Sequence, residues 1–86
     1  MSKEIFDFVS IQLNKNCKTA LYVQLYDEIR EMIITGKLSH GFLLPPVRKL
    51  AQSLEINAGT VMSAYKLLEQ NGYIFSRSGS GSYVAE

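Results

Sequence analysis

Two short apolar stripes of helical spacing follow each other so closely in this chain that they restrict its fold more than any other feature. The residues of the two stripes are Val47, Leu50, Ala51 and Leu54, then Val61, Ala64, Tyr65 and Leu68. Each stripe repeats at three- and four-residue steps, which places its members on one face of a helix. Because only about three residues join the two helices, they must cross steeply, as in a helix-turn-helix.

A longer stripe precedes this pair and predicts a first helix over about residues 19–36. Its apolar members are Leu21, Leu25, Ile29, Met32 and Ile33. Thr19 is a plausible N-cap because its hydroxyl can accept a hydrogen bond from a free backbone N–H of the first turn. Gly36 can adopt the left-handed conformation that closes a helix.

The two paired helices have boundary signals of their own. Pro46 suits the first turn of a helix predicted over about residues 46–54. Asn57 can cap the next helix, predicted over about residues 57–71, by accepting a backbone N–H of its first turn. Gly72 suits the position after the last turn of that helix.

The segments around the helices favour short strands. Phe42-Leu43-Leu44 is too short for a helix and is stopped by Pro45-Pro46, so a three-residue edge strand is expected before the second helix. Residues 73–85 are predicted to form a β-hairpin with a polar, turn-rich tip at residues 77–81. In residues 1–18, polar and apolar residues alternate from Phe8 to Leu13, which favours an arm or a short strand.

These elements predict a mainly α fold with a small β-hairpin wing, namely a winged helix-turn-helix domain over residues 19–86. The 86 residues suffice for one small domain with a modest core. No apolar run reaches the roughly 18 residues that span a bilayer, and no signal peptide follows Met1, so we expect a cytoplasmic protein without membrane contact.

Composition argues against catalysis and metal binding. Cys17 is the only cysteine and His40 the only histidine, which excludes an internal disulfide and leaves no Cys/His cluster for a metal or a nucleophile. No paired carboxylates converge, so an enzyme is not expected. The formal charge of +1 divides into −1 for residues 1–36 and +2 for residues 37–86, a mild imbalance that does not by itself indicate a polyanion partner.

The position of the polar residues predicts double-stranded DNA as the partner. The helix after the turn would enter the major groove with a small, polar leading face. The residues of that face are Asn57, Gly59, Thr60, Ser63 and, one turn farther on, Lys66. Asn57 could pair with an adenine edge, or its side chain could serve only as the helix cap.

Cationic residues flank this helix on both sides. Arg48 and Lys49 lie in the first turn of the preceding helix, where they could bind phosphate or remain a solvated surface pair. Arg77 and the tip residues Ser78, Gly79 and Ser80 could lie along the minor groove as a wing or form a plain hairpin loop.

The aromatic residues of the second half of the chain favour a core. A cluster of aromatic and leucine side chains could in principle form a ligand cage or an RNA-stacking platform, but its helical and strand spacing is more typical of a buried core. Its members are Tyr65, Leu67, Leu68, Tyr73 and Phe75. Tyr22 and Tyr26 fall near the edge of the first stripe and could partly face a dimer partner.

Spaced blocks along residues 19–85 resemble the DNA-binding domain of GntR-type bacterial transcription regulators. The blocks are Leu21-Tyr22-x-Gln24, Gly36-Lys37-Leu38, Leu44-Pro45-Pro46-x-Arg48-x-Leu50-Ala51, Thr60-Val61-x-x-Ala64-Tyr65-x-x-Leu68, Gly72-Tyr73 and Gly79-Ser80-Gly81-Ser82-Tyr83-Val84. The Ala64-Tyr65 pair and the ending look most like the MocR-like branch, whose members carry a fused aminotransferase-like domain that binds pyridoxal phosphate. The YtrA-like branch is the second choice.

The resemblance implies that Arg48, the start of the third helix and the wing around Ser78 and Gly79 face DNA. The chain departs from the family pattern at three places: Pro46 replaces a common Ser, Asn57-Ala58 replaces Ser-Arg, and Glu55 replaces a Gly in the turn. Without that Arg, one bidentate base or phosphate contact is absent, so sequence readout would either be weaker or rest on Asn57 and on DNA shape.

The resemblance further implies a homodimer in the full-length protein and a small-molecule effector bound by a domain that this chain lacks. The chain ends just after the predicted wing, so we expect the N-terminal domain of a longer regulator. No cofactor is expected in this chain, and pyridoxal phosphate would belong to the C-terminal domain. A winged-helix module that binds protein or RNA is the alternative function.

Overall fold

The computed structural model describes residues 11–79 and 81–85, which form three helices followed by a two-stranded hairpin. The elements in chain order are α1 Leu21–Ile34, α2 Val47–Leu54, α3 Ala58–Gln70, β1 Ile74–Arg77 and β2 Gly81–Val84. This order confirms the predicted winged helix-turn-helix. Within the described ranges, no helix combines the length and apolar character needed to cross a membrane.

The apolar stripes of the three helices meet in one core. α3 lies at its centre and packs against α1, α2 and β1. Leu25 and Ile29 of α1, with Val61 and Leu68 of α3, have no solvent-exposed surface. Burial of such a side chain contributes about 1.5 to 3 kcal/mol, so the stripes that predicted the helices also provide much of the driving force for folding.

The start of α1 differs from the expectation. Ala20, not Thr19, is the N-cap residue, and no side chain caps the helix there. Instead, the Gln24 amide nitrogen donates to the Thr19 carbonyl oxygen at 2.7 Å and to the Asn14 carbonyl oxygen at 3.0 Å, while its amide oxygen accepts from the Asn14 N–H at 2.8 Å. A side chain one turn ahead therefore organises the helix start. At the other end, Gly36 adopts the positive φ of 84° that was predicted to close the helix.

The hairpin strands pair antiparallel, with Ile74 opposite Val84 and Arg77 opposite Gly81. Arg77 and Gly81 thus lie in the strands, although the sequence placed them in the tip. The hairpin extends farther because the ladder continues through the Ser76 and Ser82 pair before the chain turns. The buried pair at the base fixes the register, since a shift of one residue would expose both of these apolar side chains.

The predicted strand before α2 is reduced to a single bridge, between Leu43 and Tyr83 of β2. The Leu44 N–H donates to the Ser82 carbonyl oxygen at 2.9 Å, and the two prolines that follow have no N–H to extend the ladder. The alternating segment before α1 was predicted over residues 8–13. Its residues 11–13 adopt no regular secondary structure, and its residues 8–10 lie outside the described ranges.

The aromatic cluster is only partly a core. Tyr65 and Leu68 are buried, and Leu67 and Tyr73 are half-buried. Phe75, expected in the core, is 39% exposed and stacks on Tyr83 with 5.7 Å between ring centroids. The hairpin register explains the difference, because Phe75 and Tyr83 face each other on the side of the sheet opposite the buried Ile74 and Val84 pair.

Candidate nucleic-acid interface

The turn between α2 and α3 depends on an unusual backbone conformation at Glu55. This residue ends α2 in the left-handed region, with φ 56° and ψ 48°, and is the only non-glycine residue of the described ranges with positive φ. The following Ile56 N–H donates to the Ala51 carbonyl oxygen at 3.0 Å, which satisfies a carbonyl group in the last turn of α2. The chain thereby reverses within three residues and begins α3.

Asn57 caps α3. Its side-chain oxygen accepts a hydrogen bond from the Gly59 N–H at 2.7 Å, and its backbone oxygen accepts from the Thr60 N–H at 3.0 Å. The structure therefore shows the capping role that the sequence allowed. Bidentate pairing with adenine would need the same side-chain oxygen to face the base edge, and in this conformation that oxygen already holds the helix start.

The exposed face of α3 carries small and cationic residues. Gly59, Ser63 and Lys66 are exposed and recur at helical spacing on one side of the helix. Thr60 is only half-exposed and lies beside this face. Met62 also lies on the outward side and is 58% exposed, although sequence reasoning did not select it. Its position three residues after Gly59 was the available signal.

The start of α2 presents two cations to solvent. Arg48 and Lys49 are both exposed in the first turn, which begins after Pro46 at the N-cap. The segment leading into this turn is fixed by Tyr65, whose buried hydroxyl donates to the Pro45 carbonyl oxygen at 2.6 Å. Burial raises the pKa of Tyr65 well above its usual value, because the phenolate would lose its hydration. α3 thus positions the cationic end of α2 through a neutral phenol.

The wing presents the third group of predicted residues. Arg77, Ser78 and Gly79 are exposed at the tip of the hairpin, whereas Ser80 lies outside the described ranges. The Ser76 hydroxyl donates to a Glu69 carboxylate oxygen at 3.2 Å, which joins β1 to the last turn of α3. The orientation of the wing is therefore coupled to that of α3.

One cation near the turn was not selected from the sequence. Lys15 belongs to the segment before α1, and its Nζ atom donates to the Glu55 carbonyl oxygen at 3.2 Å. The two residues are 40 positions apart in the chain, so no local pattern could have predicted their contact.

The described residues contain no group of three or more His, Cys, Asp or Glu side chains arranged to hold a metal ion. The candidate interface presents backbone N–H groups, hydroxyls, cationic side chains at the start of α2 and the end of β1, and the exposed thioether of Met62. These groups suit binding to a polyanion.

Comparison with known proteins places the chain in a family. Residues 21–84 match the model of "Bacterial regulatory proteins, gntR family". The chain is similar to the "Probable rhizopine catabolism regulatory protein MocR" of Rhizobium meliloti, with 38% identity over 85% of this chain and 15% of the relative. It is also similar to the HTH-type transcriptional repressor YtrA of Bacillus subtilis, with 37% identity over 88% of this chain and 58% of the relative. The chain thus spans less than two thirds of either relative.

Two solved structures share the fold of this chain. The GntR-family transcription factor YtrA from Sulfolobus acidocaldarius superimposes with a TM-score of 0.84 at 36% identity, covering 88% of this chain and 80% of that one. The DNA-binding domain of AraR in complex with operator ORE1 superimposes with a TM-score of 0.74 at 27% identity, covering 86% and 90%. On the match over residues 21–84 and on the shared fold, the chain belongs to the gntR family of bacterial regulatory proteins, and it carries that family's winged helix-turn-helix DNA-binding domain.

Proposed function

We propose that this domain binds duplex DNA with the exposed face of α3 in the major groove. Gly59 and Ser63 would approach the bases, and Lys66 would reach a phosphate one turn farther along. The observation that carries this proposal is the outward α3 face of small and cationic residues, with exposed cations at the start of α2 beside it. Small side chains permit the close approach that a groove about 12 Å wide requires.

Arg48 and Lys49 would bind the phosphates at the groove edge, and Arg77, Ser78 and Gly79 would follow the backbone beside the minor groove. Support comes from the exposure of all five residues and from the planar fork of Arg, which matches two phosphate oxygens. The half-exposed Thr60 would contribute through its side-chain hydroxyl, which can donate to a phosphate oxygen.

Met62 is proposed as a base contact. Its side chain is 58% exposed on the outward side of α3 and is therefore accessible to a base edge. The C5-methyl group of thymine is the apolar feature that the major groove presents. Met62 would therefore favour thymine. Asn57 would act mainly as the cap that holds the first turn of α3 in place.

The test is binding of labelled duplex DNA as a function of salt. If Arg48, Lys49, Lys66 and Arg77 each neutralise a phosphate, the slope of log affinity against log salt should be about −3.6, at about −0.9 per phosphate. Replacement of Arg48 by Gln should weaken binding to every duplex and reduce the slope by about 0.9. A flat salt dependence, or no binding of duplex DNA, would contradict the proposed phosphate contacts.

Arg30→Gln serves as the matched control. The Arg30 guanidinium lies 5.8 Å from the centroid of the Tyr26 ring, which in turn packs edge-on against Tyr73 just after α3. α3 has 13 residues and is about 20 Å long, so Arg30 lies at the end opposite Asn57. The control should leave the salt slope unchanged.

Two further properties of the whole protein are proposed from its relatives. The regulator would act in the cytoplasm as a homodimer whose two domains bind two half-sites, because linked contacts raise avidity beyond that of one domain. An effector would act through a domain outside this chain, and a MocR-like protein would bind pyridoxal phosphate there. Identities of 38% to MocR and 37% to YtrA do not separate the two branches. Selection of duplexes from a random pool would show whether the site is a repeat.

A further inference from the structure

We infer that the segment before α1 forms an additional DNA-contacting element, in which Lys15 binds a backbone phosphate beside the start of α3. This inference rests on the proposed function, because it takes α3 as the helix in the major groove. It adds a contact from a part of the chain outside the helix-turn-helix and the wing.

The segment is held against the helix-turn-helix at several points. Ile11 is buried in the core, and the Gln24 side chain makes two hydrogen bonds to the backbone of Asn14. Lys15 follows directly, and its stem lines a shallow groove of about 280 Å³ together with Leu54 and Ile56. The backbone that carries Lys15 is therefore fixed before DNA binds, which lowers the entropy cost of a contact.

The ammonium group of Lys15 has capacity for a further partner. Within the described ranges, it makes one hydrogen bond, to the Glu55 carbonyl oxygen at 3.2 Å, which uses one of its three donors. Among the described residues, the ion pair within 4.0 Å is Arg30 with Asp27, so no carboxylate there neutralises Lys15. Two donors and a full positive charge remain available to an anion.

The location of the ammonium group suits a phosphate. A helix with its side chains is about 10 to 12 Å across and fills the major groove, so a group beside its first turn faces one of the two backbone ridges. α2 has eight residues and is about 12 Å long, with Arg48 and Lys49 at its start and Lys15 at its end. The two cationic positions are thus separated by about the width of the groove.

Charge complementarity also requires a cation at this turn. Glu55 is exposed there and would present a carboxylate to the phosphates, at the position where α2 ends. Lys15 adds a cation at the same turn without an ion pair to that carboxylate, so its ammonium group can bind a phosphate and lessen the repulsion. If the bond from Lys15 to the Glu55 carbonyl oxygen only held the turn in place, its role would not depend on the charge of the Glu55 carboxylate.

The experiment compares Lys15→Met, Lys15→Arg and Lys37→Met in the 86-residue chain. Lys37 lies beyond the far end of the 14-residue α1 and controls for the loss of one positive charge. Affinity for a labelled random-sequence duplex is measured by anisotropy between about 50 and about 200 mM salt, because phosphate contacts do not depend on sequence. Thermal melting of each variant without DNA is recorded in parallel.

Lys15→Met should reduce the magnitude of the salt slope by about 0.9, so its affinity deficit relative to wild type should shrink about 3.5-fold between the two salt concentrations. Lys15→Arg and Lys37→Met should keep the wild-type slope. An unchanged slope for Lys15→Met overturns the inference, and a lower melting temperature in that case assigns Lys15 to a structural clamp. An equal reduction for Lys37→Met also overturns it. If the wild-type chain itself does not bind duplex DNA, the proposed function fails first.

Discussion

Replacement of Glu55 by Gly should stabilise the domain, although it removes the Glu55 side chain from the turn. Glu55 has φ 56° and ψ 48°, and a residue with a Cβ atom pays about 1 to 2 kcal/mol in this region. Gly relieves that strain but gains about 0.5 to 1 kcal/mol of conformational freedom in the unfolded chain. We expect a net increase of about 0.5 to 1 kcal/mol in the free energy of unfolding, or roughly 2 to 8 °C in melting temperature for a domain of this size.

Two further substitutions separate strain from charge. Glu55→Ala keeps the Cβ atom and removes the carboxylate, so its stability should stay within about 0.5 kcal/mol of wild type. Glu55→Asn should fall between Ala and Gly, since Asn tolerates the left-handed region. The bond from Lys15 should persist in all three variants, because its acceptor is the backbone carbonyl. Thermal and urea unfolding provide the measurement, and a Gly variant no more stable than the Ala variant would refute the argument from backbone strain.

Three other substitutions test the contacts that hold the interface. Asn57→Ala should lower the free energy of unfolding by about 1 kcal/mol in urea titrations, whereas Asn57→Ser should keep the cap and most of the stability. Tyr65→Phe should cost about 1 to 3 kcal/mol because the buried Pro45 carbonyl loses its donor. Burial raises the folded-state pKa of Tyr65, so its contribution to wild-type stability is complete below the unfolded pKa near 10 and is lost as the pH rises above that value. Urea unfolding at alkaline pH should therefore show a smaller loss of stability in Tyr65→Phe than in wild type. Gly81→Ala should lower the melting temperature, because φ is 123° and the new Cβ would lie 3.1 Å from Leu43 Cδ1; an unchanged melting temperature would contradict both the backbone strain and the steric contact.

The sequence predicted the helices because their apolar residues bury one face each. The stripe from Val61 to Leu68 lies in the core of the structure, as its spacing required. Polar residues were less predictable than apolar ones. Thr19 has a good capping side chain, but the helix begins two residues later, and the Gln24 side chain donates to the Thr19 carbonyl oxygen.

The remaining differences arise from register and from long-range contacts. Phe75 could lie on either face of the hairpin until the pairing with Tyr83 was known, because one residue of shift exchanges the two faces. Nothing local indicates that Glu55 adopts the left-handed region, since the surrounding helices impose that turn on a residue that disfavours it. Lys15 was missed for a similar reason, as its partner is remote in the chain.

The hairpin base shares one core with α3, and this arrangement has a consequence for the length of the DNA site. Ile74 and Val84 are buried with Leu68, and the Ser76 bond to Glu69 adds a second attachment. Because the hairpin base packs in the same core as α3, the hairpin tip and the exposed face of α3 would keep a fixed spacing. If both contact DNA as proposed, an operator with one base pair inserted between the two footprints would have to twist or bend to fit, and the stiffness of that intervening DNA would become part of what the protein recognises.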